Sequence, residues 1–79
     1  MNELDLGLIL KRMYNNPSVN KTTMIHVFGI KYGHIIKENQ LSAKEILKYA
    51  GMSETYVTEI HKGMRLAKYV TLKANCSNL

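Results

Sequence analysis

The chain has 79 residues, a net charge of +5, one cysteine and 46% hydrophobic residues. At this length a chain forms one domain and buries only about 60% of the surface its unfolded form exposes, so a multi-walled enzyme pocket is not expected. A single cysteine, Cys76, excludes an intrachain disulfide, and no apolar run approaches the roughly 20 residues of a membrane span.

Residues 3–15, ELDLGLILKRMYN, read as the first helix, with Leu6, Leu10 and Met13 on one face and Ile9 beside them. Leu4 and Leu8 widen the apolar arc beyond one stripe, which predicts cover on two sides, by the domain itself and by a second protomer. The N-terminus lacks a signal-peptide pattern: Glu3 and Asp5 come first, and Lys11 and Arg12 follow the apolar stretch, so the expected compartment is the cytoplasm. Asn15, Asn16, Pro17 and Ser18 then break the helix, because proline disfavours a helical residue before it.

Residues 20–39 combine a strand-like composition, in Met24 to Ile30, with helical spacing in Met24, Phe28, Ile35 and in Ile25, Tyr32, Ile36. Length and continuation favour a second helix. Gly29 and Gly33 form a G-x-x-x-G pair; His26, Lys31, His34 and Lys37 exclude a membrane setting, so the glycines predict close approach of another helix, the first by expectation.

Ser42 is placed to cap a third helix, with Glu45 three residues on to complete a capping box. Ile46, Leu47 and Ala50 fall on one side of it, and Gly51 sits where a helix end favours a left-handed residue. Ser53 is placed to cap a fourth helix running to about Lys62, with Val57 and Ile60 inward and Gly63 as its end. Two helices joined by a short glycine-containing turn form a helix-turn-helix, whose second helix can enter the DNA major groove. Beyond it, Met64 to Lys73 reads as a short strand or a final helical turn, both open, and residues 75–79 as a frayed end.

Residues 41–63 resemble the lambda-repressor-like (Cro/Xre type) helix-turn-helix family. The resemblance is carried by Leu41, Ser42, Ile46, Gly51, Met52, Ser53, Val57, Thr58, Ile60 and Gly63, in the order G-[apolar]-S-x-x-x-[Val/Ile]-[Ser/Thr]-x-Ile-x-x-G from Gly51. The whole chain is also similar to short bacterial helix-turn-helix-like proteins with helices before the motif. Leu47 stands where the family favours alanine, which implies an altered helix crossing. Ala43 replaces a frequent glutamine. Too few residues follow Gly63 for the family's last two helices, so the supporting helices must precede the motif.

The expected architecture is therefore a single all-α domain over residues 1–79, of four helices. Residues 1–39 support the helix-turn-helix of residues 41–63, and residues 64–79 form a basic segment with room for a short C-terminal strand. The resemblance implies sequence-specific binding of double-stranded DNA by a small bacterial transcriptional regulator. It places the contacting positions at Ser53, Glu54, Thr55, Tyr56, Thr58, Glu59 and Lys62. Lys44, Arg65 and Lys68, with Lys48, are phosphate candidates by charge. A homodimer through the N-terminal helices is expected, because one recognition helix offers little specificity.

The rival reading is a protein-interaction adaptor or anti-repressor built on the same helix pair. Glu54 and Glu59 favour it; the run Lys62, Arg65, Lys68 and Lys73, with no acid after Glu59, opposes it. No catalytic set, cofactor motif or metal site is expected. His26 and His34 are eight residues apart, about 12 Å along a helix, and no C-x-x-C or H-x-x-x-H spacing joins His61 or Cys76 to them.

Overall fold

A computed structural model describes residues 1–73. It holds α1 (Glu3–Tyr14), α2 (Lys21–Glu38), α3 (Ala43–Ala50), a single 3₁₀ turn (Glu54–Tyr56) and α4 (Val57–Leu66), so the fold is all-α. Residues 75–79, expected to fray and including Cys76, lie outside the described residues.

The first three helices start on a side-chain cap, whereas α4 follows Tyr56 with none, because Ser53 caps the 3₁₀ turn before it and not the helix itself. Asn2 caps α1 by accepting from the Asp5 N–H at 2.9 Å, and the Asn2 N–H donates back to Asp5 Oδ2 at 3.2 Å, a closed capping box. Asn20 accepts from the Thr23 N–H at 2.9 Å at the start of α2. Ser42 caps α3 by accepting from the Glu45 N–H at 3.2 Å. The return half of the box expected there comes from another helix: the Ser42 N–H donates to Glu3 Oε2 at 3.1 Å. Glu3 thereby ties the first turn of α1 to the first turn of α3.

α3 and α2 end in the same way. Gly51 follows α3 at φ 72°, and the Met52 N–H reaches back to the Leu47 carbonyl at 2.9 Å, the bond pattern of a Schellman end. After α2 the Leu41 N–H reaches the Ile36 carbonyl at 2.9 Å, and the left-handed residue is Gln40, at φ 53°.

The core is one cluster drawn from every helix: Leu6, Leu10 and Met13; Met24, Ile25, Val27, Phe28 and Ile36; Ala43, Ile46, Leu47 and Ala50; and Ile60. Removing a side chain such as Leu or Phe from water contributes about 1.5–3 kcal/mol, so this cluster dominates the stability. The layout is two helix pairs. α3 packs mainly on α1, α4 packs mainly on α2, and α3 and α4 meet only lightly. Leu47 is fully buried within this arrangement.

Both pairs cross at glycine. A Cβ on Gly7 would lie 2.5 Å from Tyr49 Cβ and 2.8 Å from the Ile46 carbonyl oxygen, so α1 and α3 touch backbone to backbone there. A Cβ on Gly29 would lie 2.5 Å from the Ile60 carbonyl oxygen, and one on Gly33 3.0 Å from Met64 Cγ. The G-x-x-x-G face therefore receives α4, not α1 as expected. Its neighbour across the crossing is Gly63, which lies inside α4. Gly63 does not end the fourth helix. Its missing side chain is used for approach to α2, its backbone stays helical, and the helix runs on to Leu66.

The segment after Leu66 resolves the open alternative toward helix: a turn follows α4, and no strand forms among the described residues. Leu72, further on, packs against the core cluster. Outside the core, Leu4 is 45% and Leu8 54% exposed on α1. The cover that their helix receives from its own domain is thus confined to the Leu6, Leu10 and Met13 side.

Candidate nucleic-acid interface

The turn between α3 and α4 aims the outer face of the second helix at solvent. Ser53 ends the turn with extended backbone and accepts from the Thr55 N–H at 3.2 Å, and its hydroxyl lies 2.9 Å from Thr55 Oγ1. That cap shapes a 3₁₀ turn at residues 54–56 before α4 proper, with N–H groups pointing outward as at any helix start.

Ile60 is fully buried and Gly63 lies against α2, which fixes the inner face of α4. On the opposite side Thr55, Thr58, Lys62 and Arg65 are all exposed, at spacings of three, four and three residues. Such spacing keeps side chains on one helical face. The row therefore presents two hydroxyls and two cations to solvent on a helix that the core holds in place.

The other expected contact positions are engaged within the protein. Tyr56 is half-buried; its hydroxyl lies 3.4 Å from that of Tyr14, and the rings stand 6.0 Å apart at 55°. The Tyr14 hydroxyl, through that bond first, raises the Tyr56 phenol above its usual range. Glu54 is exposed and pairs with Lys44 at 3.4 Å.

Glu59 is half-buried on the flank of α4. One of its oxygens accepts from His26 Nε2–H of α2, and the other accepts from Lys62 Nζ at 3.1 Å. These two bonds, the His26 bond foremost, hold the Glu59 carboxyl below the ordinary carboxylate range. Both glutamates of the recognition segment are thus balanced where they stand. The exposed Lys62 pair is of a kind worth under about 1 kcal/mol, little enough for an incoming phosphate to compete.

On the other flank of α4, Arg65 and Lys68 border a groove shared with α2 and are exposed, as is Lys48 on α3. The expected positions consequently divide three ways. Thr55, Thr58, Lys62 and Arg65 share the outer row, with Lys68 beyond it at the groove; Ser53 and Tyr56 support it; Lys44, Glu54 and Glu59 form ion pairs around it. Sequence spacing gives no sign of the His26–Glu59 link, because its partners are 33 positions apart and meet only when α4 crosses α2.

The match to known families follows this geometry. The family model described as an HTH-like domain covers residues 2–73, nearly the whole chain and all of the helices above. The chain belongs to the HTH-like domain family. Its four helices and turn are thus the family's domain, with the supporting pair α1–α2 preceding the helix-turn-helix. A comparison with curated proteins returned no match, and a comparison with solved structures returned none. Among the described residues no helix of this HTH-like domain is long and apolar enough to cross a membrane.

Proposed function

We propose that this HTH-like domain binds double-stranded DNA sequence-specifically, with the 54–56 turn and α4 entering the major groove in the manner of the lambda-repressor-like (Cro/Xre type) helix-turn-helix. The observation that carries the reading is the exposed row Thr55, Thr58, Lys62 and Arg65 on a helix anchored from behind by Ile60 and Gly63. Threonines suit base edges and thymine methyls, and the cations suit flanking phosphates. Lys44, Lys48 and Lys68 extend the phosphate-facing set.

The rival adaptor reading drew its strength from Glu54 and Glu59. Pairing of both with lysine or histidine removes the net acidic character that would oppose a polyanion. The biological role that fits is a small cytoplasmic transcriptional regulator in a bacterium, without catalytic activity. Leu4 and Leu8, four residues apart on the free side of α1, supply the contact for a homodimer.

Fluorescence anisotropy on labelled duplexes tests the reading. Affinity that falls with salt at about 0.9 in log–log slope per phosphate neutralised supports it, and selection of one duplex over random sequence completes it. Absence of any binding to duplex DNA at about 50 mM salt, where such contacts are strongest, would overturn it.

A further inference from the structure

Gly33, His34, Lys37, His61, Met64 and Ala67, which the DNA reading leaves aside, line a groove of about 380 Å³ between the C-terminal halves of α2 and α4, together with Arg65 and Lys68, which it uses. Gly33, Met64 and Ala67 form its apolar floor, and His34, Lys37, His61, Arg65 and Lys68 surround it. Among the described residues no acidic side chain lines it. Gly33 opens the floor by having no side chain, and the nearest atoms to its missing Cβ are those of Met64, at 3.0–3.3 Å.

The cations of this groove differ from those elsewhere on the helix pair. Lys62 of α4 has Glu59, Lys21 of α2 donates to the Tyr14 carbonyl, and Lys31 of α2 stands over the Tyr32 ring. Lys37, Arg65 and Lys68 have no ion pair or side-chain hydrogen bond among the described residues, and neither has His34 or His61. Like charges gathered around one concavity repel, and an anion placed among them relieves that repulsion. Every imidazole also keeps at least one N–H to donate, whatever its tautomer.

From this we infer that the α2–α4 groove is a binding site for a small organic anion: a phosphate or carboxylate head carried on a compact apolar body. The body lies on Gly33, Met64 and Ala67. The head meets Arg65, Lys68 and Lys37, with the guanidinium giving two parallel N–H donors. A volume of about 380 Å³ falls at the small end of ligand sites, which suits a single ring or short chain. The site shares Arg65 and Lys68 with the proposed DNA-facing set, so its occupancy is measured without DNA and stands or falls apart from that reading.

The test is a ¹H–¹⁵N NMR titration of the full chain with phenyl phosphate, inorganic phosphate and phenol in parallel. Phenyl phosphate shifts the amides of Gly33, His34, Met64 and Ala67, with a Kd on the order of 1 mM or tighter. Inorganic phosphate and phenol, each lacking half of the chemistry, bind about tenfold more weakly or not at all. The double variant R65Q/K68Q weakens phenyl phosphate by about tenfold, since it removes the charge-assisted bonds. A67F fills the floor at an exposed position and abolishes the shifts while Lys37, Arg65 and Lys68 remain. Equal binding of inorganic and phenyl phosphate would overturn the proposal. So would shifts spread over lysines outside the groove, or retention of phenyl phosphate by either variant.

Discussion

Gly29 and Gly63 face each other where α2 crosses α4, and neither position has room for a methyl group. A Cβ on Gly29 would lie 2.9 Å from Gly63 Cα, and a Cβ on Gly63 would lie 2.9 Å from Gly29 Cα and against the His26 carbonyl oxygen. The second helix of the helix-turn-helix is thereby seated on α2 by backbone contact rather than by interlocking side chains. Its height above the core, and so the projection of Thr55, Thr58, Lys62 and Arg65, is set at this crossing.

Gly63→Ala measures that seat. In an open helix the change would stabilise by about 1 kcal/mol through helix propensity. Here the added methyl meets backbone atoms that have nowhere to move, and overpacking of this kind costs about 1–3 kcal/mol or more. The expected net effect is a loss exceeding about 1 kcal/mol, read as a lower urea midpoint at unchanged m-value. A neutral or stabilising Gly63→Ala would show that α4 can lift off α2 freely.

Gln40 predicts a change of the opposite sign. It holds the left-handed position that ends α2, at φ 53°, and it is exposed. A left-handed conformation costs an L-residue about 1–2 kcal/mol, against the roughly 0.5–1 kcal/mol that glycine loses in chain entropy. Gln40→Gly should therefore raise stability by about 0.5–1 kcal/mol in thermal or urea unfolding.

The Glu59 link should be visible in the acid limb of stability. Because His26 and Lys62 hold the folded Glu59 carboxyl below its unfolded value, the unfolded state takes up the proton first. The stabilisation is then full above the unfolded carboxylate range, near pH 4.3, and is lost as pH falls through the lower folded value. Urea midpoints between about pH 6 and pH 2 should fall less steeply in Glu59→Gln than in the parent chain. Identical slopes would remove Glu59 as a contributor.

Variants of the outer row separate reading from positioning. Thr55→Ala and Thr58→Ala should weaken binding to the preferred duplex by about 1–3 kcal/mol each and leave random DNA little changed. Lys62→Ala should weaken all duplexes alike and reduce the salt slope by about 1. Tyr56 is better probed as phenylalanine than as alanine, because its ring packs beside Tyr14 and truncation would open the support beneath the row. If all three alanine variants bind as the parent does, the DNA-contacting face lies elsewhere.

Self-association gives a further outcome. A dimer seated on Leu4 and Leu8 should appear in light scattering as twice the 9.0 kDa chain at tens of micromolar, on the order of the affinity that a small interface supports. Leu8→Glu should return it to the mass of one chain. A parent chain that already scatters as 9.0 kDa at that concentration would rule out this contact.

Much of this architecture was legible in the order of residues. Capping serines at 42 and 53, a glycine at 51 in the left-handed region, and apolar residues at helical spacing are local devices. They act through backbone bonds within a few positions, so the sequence by itself determined four helices and the turn between the last two. Glycine was the residue it could not interpret alone. Gly63 reads as a stop and serves as a contact, while the stop after α2 falls on Gln40, because a missing side chain permits either use and only the neighbour decides.

The partners were likewise settled in three dimensions. Which helix fills the Gly29–Gly33 face, that Glu59 meets His26, that Glu3 completes the cap of α3, and that five basic side chains of α2, α4 and the turn after it share one groove are relations between distant positions. Charge and apolarity along a chain say how much of each is present. Close packing of one helix on another determines which charges end beside a partner, and which are left facing water.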